Sequence, residues 1–379
     1  MKTGLSLQDM ARELERQQAA KRDFVADTRS MRMVQEPALL EHDQEPPEHG
    51  TAPVLELASP GGSKERFPIA KTAHGQFADK LGIPKKHYDR LLSDHPDLLT
   101  LELNALLNRE PERRMLRTLD GKARAFLSDK YRPLDNYDLA EAVLPILQTV
   151  PDINIVSTQF TDTRFFIKAV FPKVTGEVRV GDIVQGGIQI SNSETGHGSL
   201  SVMPLMYRLW CLNGCTTNIG SKRRAHVGSR QDSDTFEVFS DATKAQSDRA
   251  FWMQVQDTVR GLTTPEVFNR VLAEVQAAAG DQITKPVQET VELATKALGI
   301  KQADQEGILR HLIEGTGNAA NGGQLADLTR YGLMNAITQH SQDVEDYGHA
   351  TELERAGGKI LELAPADWQR IAVAQPVAA

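Results

Sequence analysis

The sequence predicts an α+β protein, with a central antiparallel β-sheet flanked by a helical N-terminal region and a long helical C-terminal region. Three observations lead to this class. Apolar and polar residues alternate along short runs between residues 113 and 190, which is typical of strands with one buried face. Tight turn sequences join these runs, so successive strands are expected to pair antiparallel. Before and after them, apolar residues recur at helical spacing.

The first 112 residues are expected to hold an arm and a helical region. Residues 1–50 are polar and rich in charge, and we interpret them as a solvated polar arm with one helix-like run at 7–26. Residues 51–112 predict short amphipathic helices, two of them separated at Gly82-Ile83-Pro84. This break also fits a helix-turn-helix, but an ordinary helical hairpin accounts for the same pattern.

A sheet core carrying a basic segment is assigned to residues 113–233. Its first two strands are predicted to turn at Asp120-Gly121, a typical hairpin sequence. A helix at 136–148 follows, with Asp135 as its N-cap, and Pro145 should kink it or end it early. Further strands are predicted at 153–160, 163–171 and 183–190.

Residues 202–212 fit two alternatives. Their apolar residues recur at helical spacing and Pro204 suits a first helical turn, which favours a short helix. A strand followed by a tight turn at Asn213-Gly214 is the alternative. Beyond the core, residues 234–365 predict a helical C-terminal region, and residues 366–379 are interpreted as a tail.

The charge distribution is uneven. The whole chain has a net charge of −8, yet residues 164–230 carry nine basic side chains against three acidic ones. Residues 109–132 carry a second basic excess, eight against four. An acidic chain with concentrated basic segments is typical of a protein with a surface that faces a polyanion.

We therefore predict that the basic surface binds single-stranded nucleic acid, with basic side chains on phosphates and aromatic rings on bases. Such binding requires no catalytic residue, metal or cofactor, and none is assigned. The same charges would also fit a solvated face, or contacts with acidic parts of neighbouring subunits. The candidate nucleic-acid-binding residues are Lys222, Arg223, Arg224, Arg230, Arg208, Tyr131 and His226.

A metal-dependent nuclease is one alternative, with carboxylates near a basic patch holding the ions. The Glu-x-Lys element common in such nucleases is missing, because Glu194 is followed by Thr195-Gly196-His197. The candidate ligands would be Asp182, Glu194, His197 and Asp129. Another alternative is a regulatory or counter-defence protein that binds a second protein and has no enzymatic activity.

The cysteines suggest weaker alternatives. Cys211 with His226 or His197 would form a Cys-His hydrolase, and Cys211 with Cys215 would contribute half of a zinc site. Buried structural thiols explain both cysteines better. Arg208 would lower the thiol pKa of Cys211, but an arginine in an apolar stripe needs a partner, so we favour a buried pair with a carboxylate such as Asp129 or Glu194.

Four short motifs resemble the phage- and plasmid-borne family known as domain of unknown function 932. They are LSDKYRPLDN with Ser128, Asp129 and Tyr131, SNSETGHGSL with Asn192, Ser193 and Gly196, YRLWCLNG with Arg208, Cys211 and Asn213, and RAHVG with His226. The resemblance spans about residues 70–342. It implies a mobile-element setting, in which a single-strand annealing protein acting as a homo-oligomer is a natural expectation.

The sequence favours a cytoplasmic protein of the host cell without membrane contact. No apolar run approaches the length of a membrane span, and the first residues lack the apolar centre of a signal peptide.

Overall fold

The computed structural model describes residues 2–37, 51–59, 61–209, 212–218, 221–224, 241–315 and 326–374, with backbone alone at 222–224 and 241–248. Antiparallel sheets lie in the middle of the chain and helices lie at both ends, which confirms the predicted α+β class. Within the described residues, the strands form three sheets rather than the single central sheet that the sequence predicted.

The first sheet and its helices form the N-terminal core. The strands are β2 (Met31–Pro37), β3 (Thr51–Ala58) and β4 (Lys64–Pro68), and the helices are α2 (Lys71–Lys80), α3 (Lys85–Asp94) and α4 (Pro96–Arg109). Leu55, Phe77 and Leu99 are fully buried between these layers. The three helices were predicted, but a purely helical region from residue 51 was wrong, because β3 and β4 precede them.

The polar arm predicted for residues 1–50 is also wrong where the chain is described. Helix α1 (Leu7–Ala20) packs Met10 and Leu14 into the core beside α5 (Asn136–Leu147). Strand β1 (Arg22–Asp27) extends a second sheet. A stripe of two buried side chains in an otherwise polar helix is too narrow to stand out in composition.

The second sheet contains the predicted hairpin. Strands β5 (Arg113–Leu119) and β6 (Lys122–Ser128) pair antiparallel, and β1 pairs with the other edge of β5. Asp120 and Gly121 have φ values of 50° and 74°, which confirms a turn that needs two left-handed residues.

The third sheet is central, with strand order β11-β10-β9-β8-β7 and β12 also paired to β10. The predicted strands 153–160, 163–171 and 183–190 are confirmed as its first three members. Its strands are β7 (Asn154–Phe160), β8 (Phe165–Glu177), β9 (Ile183–Asn192), β10 (Leu200–Arg208), β11 (Asn213–Thr216) and β12 (Lys222–Arg224).

The helix favoured for residues 202–212 is wrong, because β10 pairs with β9 over Ser201 to Arg208. Both faces of β10 are covered. On one face, Val202 packs towards α5 and α6 (Asp241–Leu262), and Met206 packs towards α7 (Pro265–Ala278) and α10 (Arg330–Asp343). On the other face, Met203 and Leu205 are each 2% exposed. A strand buried on both faces loses the alternation of polar and apolar residues that identifies strands in a sequence.

The C-terminal helices pack against both faces of the central sheet, because the adjacent β8 residues Ile167 and Lys168 contact different C-terminal helices. In addition to α6, α7 and α10 they are α8 (Val287–Leu298), α9 (Gln305–Glu314), α11 (Tyr347–Leu361) and α12 (Pro365–Ala372). The tail predicted from residue 366 is wrong up to residue 374, because α12 buries Trp368 and Ile371. None of the described helices combines the length and the apolar character that a membrane crossing requires.

Candidate nucleic-acid interface

The central sheet has two chemically different ends. At the loop end, β9 stops at Asn192, β10 starts at Leu200, and Phe165 pairs with Asn192, so the turn 161–164 and the loop 193–199 lie together. At the closed end, β9 starts at Ile183 and β10 stops at Arg208. Each strand thus places its first and last side chains in a different environment.

The loop 193–199 is anchored by buried polar side chains. Asn192 donates from Nδ2 to the Leu134 carbonyl (2.7 Å) and to Asn136 Oδ1 (2.9 Å). The Asn136 backbone N–H donates to Glu194 Oε1 at 2.6 Å. Asp135 occupies the N-cap position of α5 as predicted, but the side chain that caps the helix is Glu194.

Helix α2 holds the same loop from the other side. Gln76 donates from Nε2 to the Thr195 carbonyl at 2.6 Å, and Gln76 Oε1 accepts the Phe126 N–H at 2.8 Å. One glutamine therefore joins the N-terminal core, β6 and the loop.

Arg117 lies at the centre of this arrangement with no exposed side-chain surface. Its guanidinium donates to Asp23 Oδ1 (3.0 Å), Asp135 Oδ1 (2.6 Å) and the Glu194 carbonyl (2.9 Å), and Asp135 also pairs with Lys21. Burial acts to raise the pKa of Asp135, but the charge and hydrogen bonds of Arg117 and Lys21 outweigh it and lower that pKa. Asp135 is therefore a structural counter-ion and is not a proton donor near neutral pH.

A cleft of about 390 Å³ opens beside this anchored loop. Four cationic side chains line it: Lys71, Lys122, Arg124 and Arg164. The acidic residues of its wall are Asp120, Asp162 and Glu194. Two of these are already paired, Asp120 with Arg16 at 2.7 Å and Glu194 with Arg124 at 2.7 Å.

Arg164 is positioned by the loop. Its Nη2 donates to the His197 carbonyl at 3.1 Å. A Cβ at residue 198 would lie 2.5 Å from Arg164 Nη2, so glycine at that position lets the guanidinium rest against the backbone. Phe160, which also lines the cleft, stacks on Phe165 with a 4.5 Å centroid distance. The cleft therefore combines cations with one aromatic ring.

Three of the predicted binding residues reach the loop end. Lys222, Arg223 and Arg224 form β12, which pairs with Leu200–Val202 in antiparallel register. This register puts the basic strand on the sheet edge next to the start of β10. Arg230 and His226 lie outside the described residues.

Arg208 lies at the closed end, where a ligand cannot reach it. It is 3% exposed, and its Nε and Nη2 donate to Asp182 Oδ1 (2.7 Å) and Oδ2 (2.8 Å). Tyr331 donates its hydroxyl to the same carboxylate at 2.9 Å. The favoured buried ion pair is confirmed, but its partner is Asp182 rather than Asp129 or Glu194.

Tyr131 lies at the loop end in a packed position. Its hydroxyl donates to the Ser193 carbonyl at 3.2 Å, and its ring contacts a small apolar cluster with Met115 and Leu127. Burial raises the pKa of Tyr131. These contacts make the side chain a support for the loop and leave its ring little freedom to stack on a base.

The carboxylates proposed for a nuclease are not brought together. Asp182 and Glu194 lie at opposite ends of β9, a ten-residue strand, which is roughly 30 Å long at ~3.3 Å per residue. His197 Nδ1 contacts the Thr195 hydroxyl at 3.0 Å, and burial lowers the pKa of His197. This set cannot hold one pair of metal ions.

The cysteine alternatives are tested only at Cys215. This thiol is buried, and burial raises its pKa to about 12, so it is neither a nucleophile nor a ready metal ligand at neutral pH. Cys211 lies outside the described residues.

Sequence reasoning missed Lys71, and it counted Arg164 in the basic segment 164–230 without assigning it to a binding site. They lie more than 90 positions apart and meet only because α2 and the β7–β8 turn reach the same end of the sheet. Lys122 and Arg124 belong to the basic stretch 109–132, which was recognised.

No protein-family model, curated protein or solved structure matches this chain. The resemblance drawn from the four short motifs stays a prediction, and functional inference rests on the chemistry of the site.

Proposed function

We propose that this chain binds single-stranded nucleic acid at the loop end of the central sheet. The observation that carries the proposal is the coincidence, at one end of one sheet, of a cleft lined by four cations and of the basic strand β12. This happens in a chain whose net charge is −8. Cationic side chains that line a groove neutralise phosphates and release counterions, which is the main source of affinity for nucleic acids.

The charges of the cleft favour an anionic ligand. Asp120 and Glu194 each share an ion pair, whereas Lys71 is exposed and Arg164 donates to a carbonyl that carries no charge. Asp162 is the acid on the wall that has no ion pair within the described chain. A phosphodiester would therefore meet cations that are not all compensated by protein carboxylates.

The size of the cleft favours one unstacked nucleotide rather than a duplex. Cavities of ~300–1,000 Å³ accommodate small-molecule ligands, and the volume of about 390 Å³ lies at the lower end of this range. Phe160 offers an aromatic ring of the kind on which bases of a single strand stack. From the cleft, the strand would continue along the edge formed by β12.

A role in strand annealing, with the chain acting as a homo-oligomer of a phage or other mobile element, is the fuller form of this proposal. Its support is the motif resemblance and the lack of any need for a catalytic group in annealing. The nuclease alternative has less support, because its carboxylates are separated by the length of β9.

Fluorescence anisotropy of labelled 20-nucleotide single strands and duplexes tests the proposal across a salt series, with and without magnesium. We expect tighter single-strand binding that weakens linearly with the logarithm of salt concentration and leaves the strand intact. Changing Lys71 and Arg164 together to Ala should reduce affinity at least tenfold and lower the salt slope by about two. Replacing Lys222, Arg223 and Arg224 by Ala as well should reduce the affinity and the salt slope further.

The matched control changes Lys173 and Arg90 to Ala. These cations are 66% and 74% exposed and lie away from the cleft, so the net charge changes equally while affinity should stay within twofold. Equal losses in both double variants would show a nonspecific charge effect and reject the site. No binding to either nucleic acid at low salt would reject the function and favour a protein partner. Strands shortened only in the magnesium samples would favour a nuclease.

A further inference from the structure

The C-terminal helices contain a cluster of histidines and aspartates that the nucleic-acid proposal does not use. His311 lies on α9, and His340 and Asp343 lie one turn apart on α10. Asp304 and His349 adjoin this group from the start of α9 and from α11.

Three side chains of the cluster offer ligand atoms at metal-like spacing. One atom each from His311, His340 and Asp343 lies within 4.8 Å of the other two. His311 Nε2 is 2.7 Å from Asp343 Oδ2, and His340 Nδ1 is 3.8 Å from the same oxygen. Ligand atoms around a tetrahedral zinc ion are ~3.3 Å apart, given bonds of ~2.0–2.1 Å, so these separations lie on either side of that value.

The hydrogen bonds of His340 determine which of its nitrogens faces the group. Nε2 lies 3.2 Å from Asp304 Oδ1, and since a carboxylate only accepts, Nε2 carries the proton. The tautomer that carries its proton on Nε2 has a lone pair at Nδ1. Nδ1 is buried and has no hydrogen-bond partner within the described part of the chain. Nδ1 therefore lies 3.8 Å from the carboxylate oxygen Asp343 Oδ2, and a cation between the two atoms would give Nδ1 a partner.

Asp304 lies where an outer-shell carboxylate would lie if His340 bound a metal. It contacts His349 Nε2 at 3.0 Å through both oxygens as well as His340. Histidines that bind metals commonly donate their second N–H to a carboxylate, which fixes the ring and makes the ligating nitrogen more basic. The 8% exposure of the Asp304 side chain protects this bond from water.

We propose that His311, His340 and Asp343 bind one divalent cation of the zinc class. Two imidazole nitrogens and one carboxylate suit Zn²⁺ or Co²⁺ better than Mg²⁺ or Ca²⁺, which prefer oxygen ligands. His311 would bind through Nε2 as its Nδ1–H tautomer, in place of its hydrogen bond to Asp343. Arg310, which donates to Asp343 Oδ2 at 2.9 Å, would stay beside the carboxylate as an outer-shell donor.

The exposure of the ligands describes the kind of site. The side chains of His311 and His340 are 15% and 12% exposed, and that of Asp343 is 41% exposed. An ion could therefore enter past Asp343 and keep a water molecule in its fourth position, as in zinc sites with three protein ligands. The same ion would join α9 to α10.

Metal titration of the untagged chain, after removal of metals by chelation, tests this site without any oligonucleotide. We expect one equivalent of Zn²⁺ by calorimetry, and one of Co²⁺ with the visible absorption of a tetrahedral ion. His340→Ala and Asp343→Asn should each weaken affinity at least 100-fold. His349→Ala should weaken it about tenfold through Asp304.

Two further variants keep the test decisive. His87→Ala is the matched control, since His87 is a half-exposed histidine that contacts Glu102 on distant helices, and it should leave affinity unchanged. Gly307→Ala places a Cβ 2.3 Å from His340 Nδ1, so it should displace the ring and abolish binding while favouring the helix. Less than one equivalent bound at millimolar metal, or binding that His340→Ala, Asp343→Asn and Gly307→Ala all leave intact, would overturn the proposal. If circular dichroism shows that one of these variants is unfolded, the metal affinities of the folded variants decide whether the site is correct.

Discussion

Arg208 at the closed end and Arg124 at the loop end show how differently one residue type serves the two ends of the central sheet. The guanidinium of Arg208 makes a two-point pair with Asp182, and Tyr331 completes the shell of that carboxylate. Arg124 pairs with Glu194 on the wall of an open cleft. Positive charge in a sequence therefore does not identify a binding residue. The burial of the cation and the number of its partners decide whether it can meet a ligand.

The largest difference between the ends should be in stability. Arg208→Met removes the guanidinium and leaves the Asp182 carboxylate buried with Tyr331 alone. We expect a loss of about 3–5 kcal/mol in the free energy of unfolding, measured by urea denaturation. Arg90→Met, at a surface pair with 3.9 Å between Arg90 and Asp94, should cost under ~1 kcal/mol. A loss below ~1 kcal/mol for Arg208→Met would show that the closed end does not depend on this pair.

Changing the counterpart carboxylate at the loop end should separate stability from binding. Glu194→Gln keeps an oxygen for the N-terminus of α5 but removes the charge opposite Arg124. We expect a loss of about 2 kcal/mol in stability. Oligonucleotide affinity should rise about threefold at low salt, because the cleft becomes more positive.

The control for this change is Glu177→Gln, which alters an exposed acid in the half of β8 nearer the closed end. It should change neither stability nor affinity. Weaker oligonucleotide binding by Glu194→Gln in a protein of unchanged fold would contradict the cleft assignment.

Lowering the pH should reduce the free energy of unfolding through His74, a residue of α2, the helix that holds the loop 193–199. Burial and, to a smaller degree, the charge of Lys85 lower the pKa of His74 to about 4, and His74 Nδ1 contacts the Tyr88 hydroxyl at 2.8 Å. The folded pKa lies below the unfolded value of ~6.5, so the unfolded state takes up the proton first as pH falls. The stabilisation is complete above pH ~6.5 and is lost as pH falls towards 4.

Between pH 7 and pH 5 this linkage corresponds to about 2 kcal/mol. Urea denaturation at the two pH values measures it, and His74→Gln, which keeps a group able to bond Tyr88, should remove that part of the pH dependence. If the free energy of unfolding depends on pH equally in the unaltered chain and in His74→Gln, groups other than His74 cause the acid sensitivity.

The smallest expected effect concerns the position of Arg164. Gly198→Ala would push the guanidinium off the loop without touching its charge, because the added Cβ meets only the end of a flexible side chain. Stability should change by less than ~0.5 kcal/mol, and oligonucleotide affinity should fall about twofold. Gly61→Ala, with open space around its Cβ, is the matched control. An unchanged affinity for Gly198→Ala would mean that the position of Arg164 does not matter.

Local patterns predicted the elements that depend on local chemistry. The Asp120-Gly121 turn and the strands of the central sheet's first half follow from turn chemistry and alternation. The strand β10 was not predicted because both of its faces are buried. The helix-like run at 7–26 was predicted, but its packing against the core was not, because only Met10 and Leu14 of α1 are buried.

The candidate sites depended on distant residues meeting in space. Asp182 and Arg208 pair because β9 and β10 are antiparallel, a register that no residue spacing along the chain reveals. Lys71 and Arg164, and likewise His311 and His340, come from separate elements. The one local signal was the His340-x-x-Asp343 spacing, which puts two possible ligands on one helix face.

Hydrogen–deuterium exchange of the whole chain, with and without a saturating single-stranded oligonucleotide, tests the division between the two ends most directly. We predict slower exchange at residues 70–72, 161–164 and 193–199 when the strand is bound, and unchanged exchange at residues 178–184, 205–209 and 212–216. Protection confined to the closed end, or absent from the loop end under saturating conditions, would contradict the account.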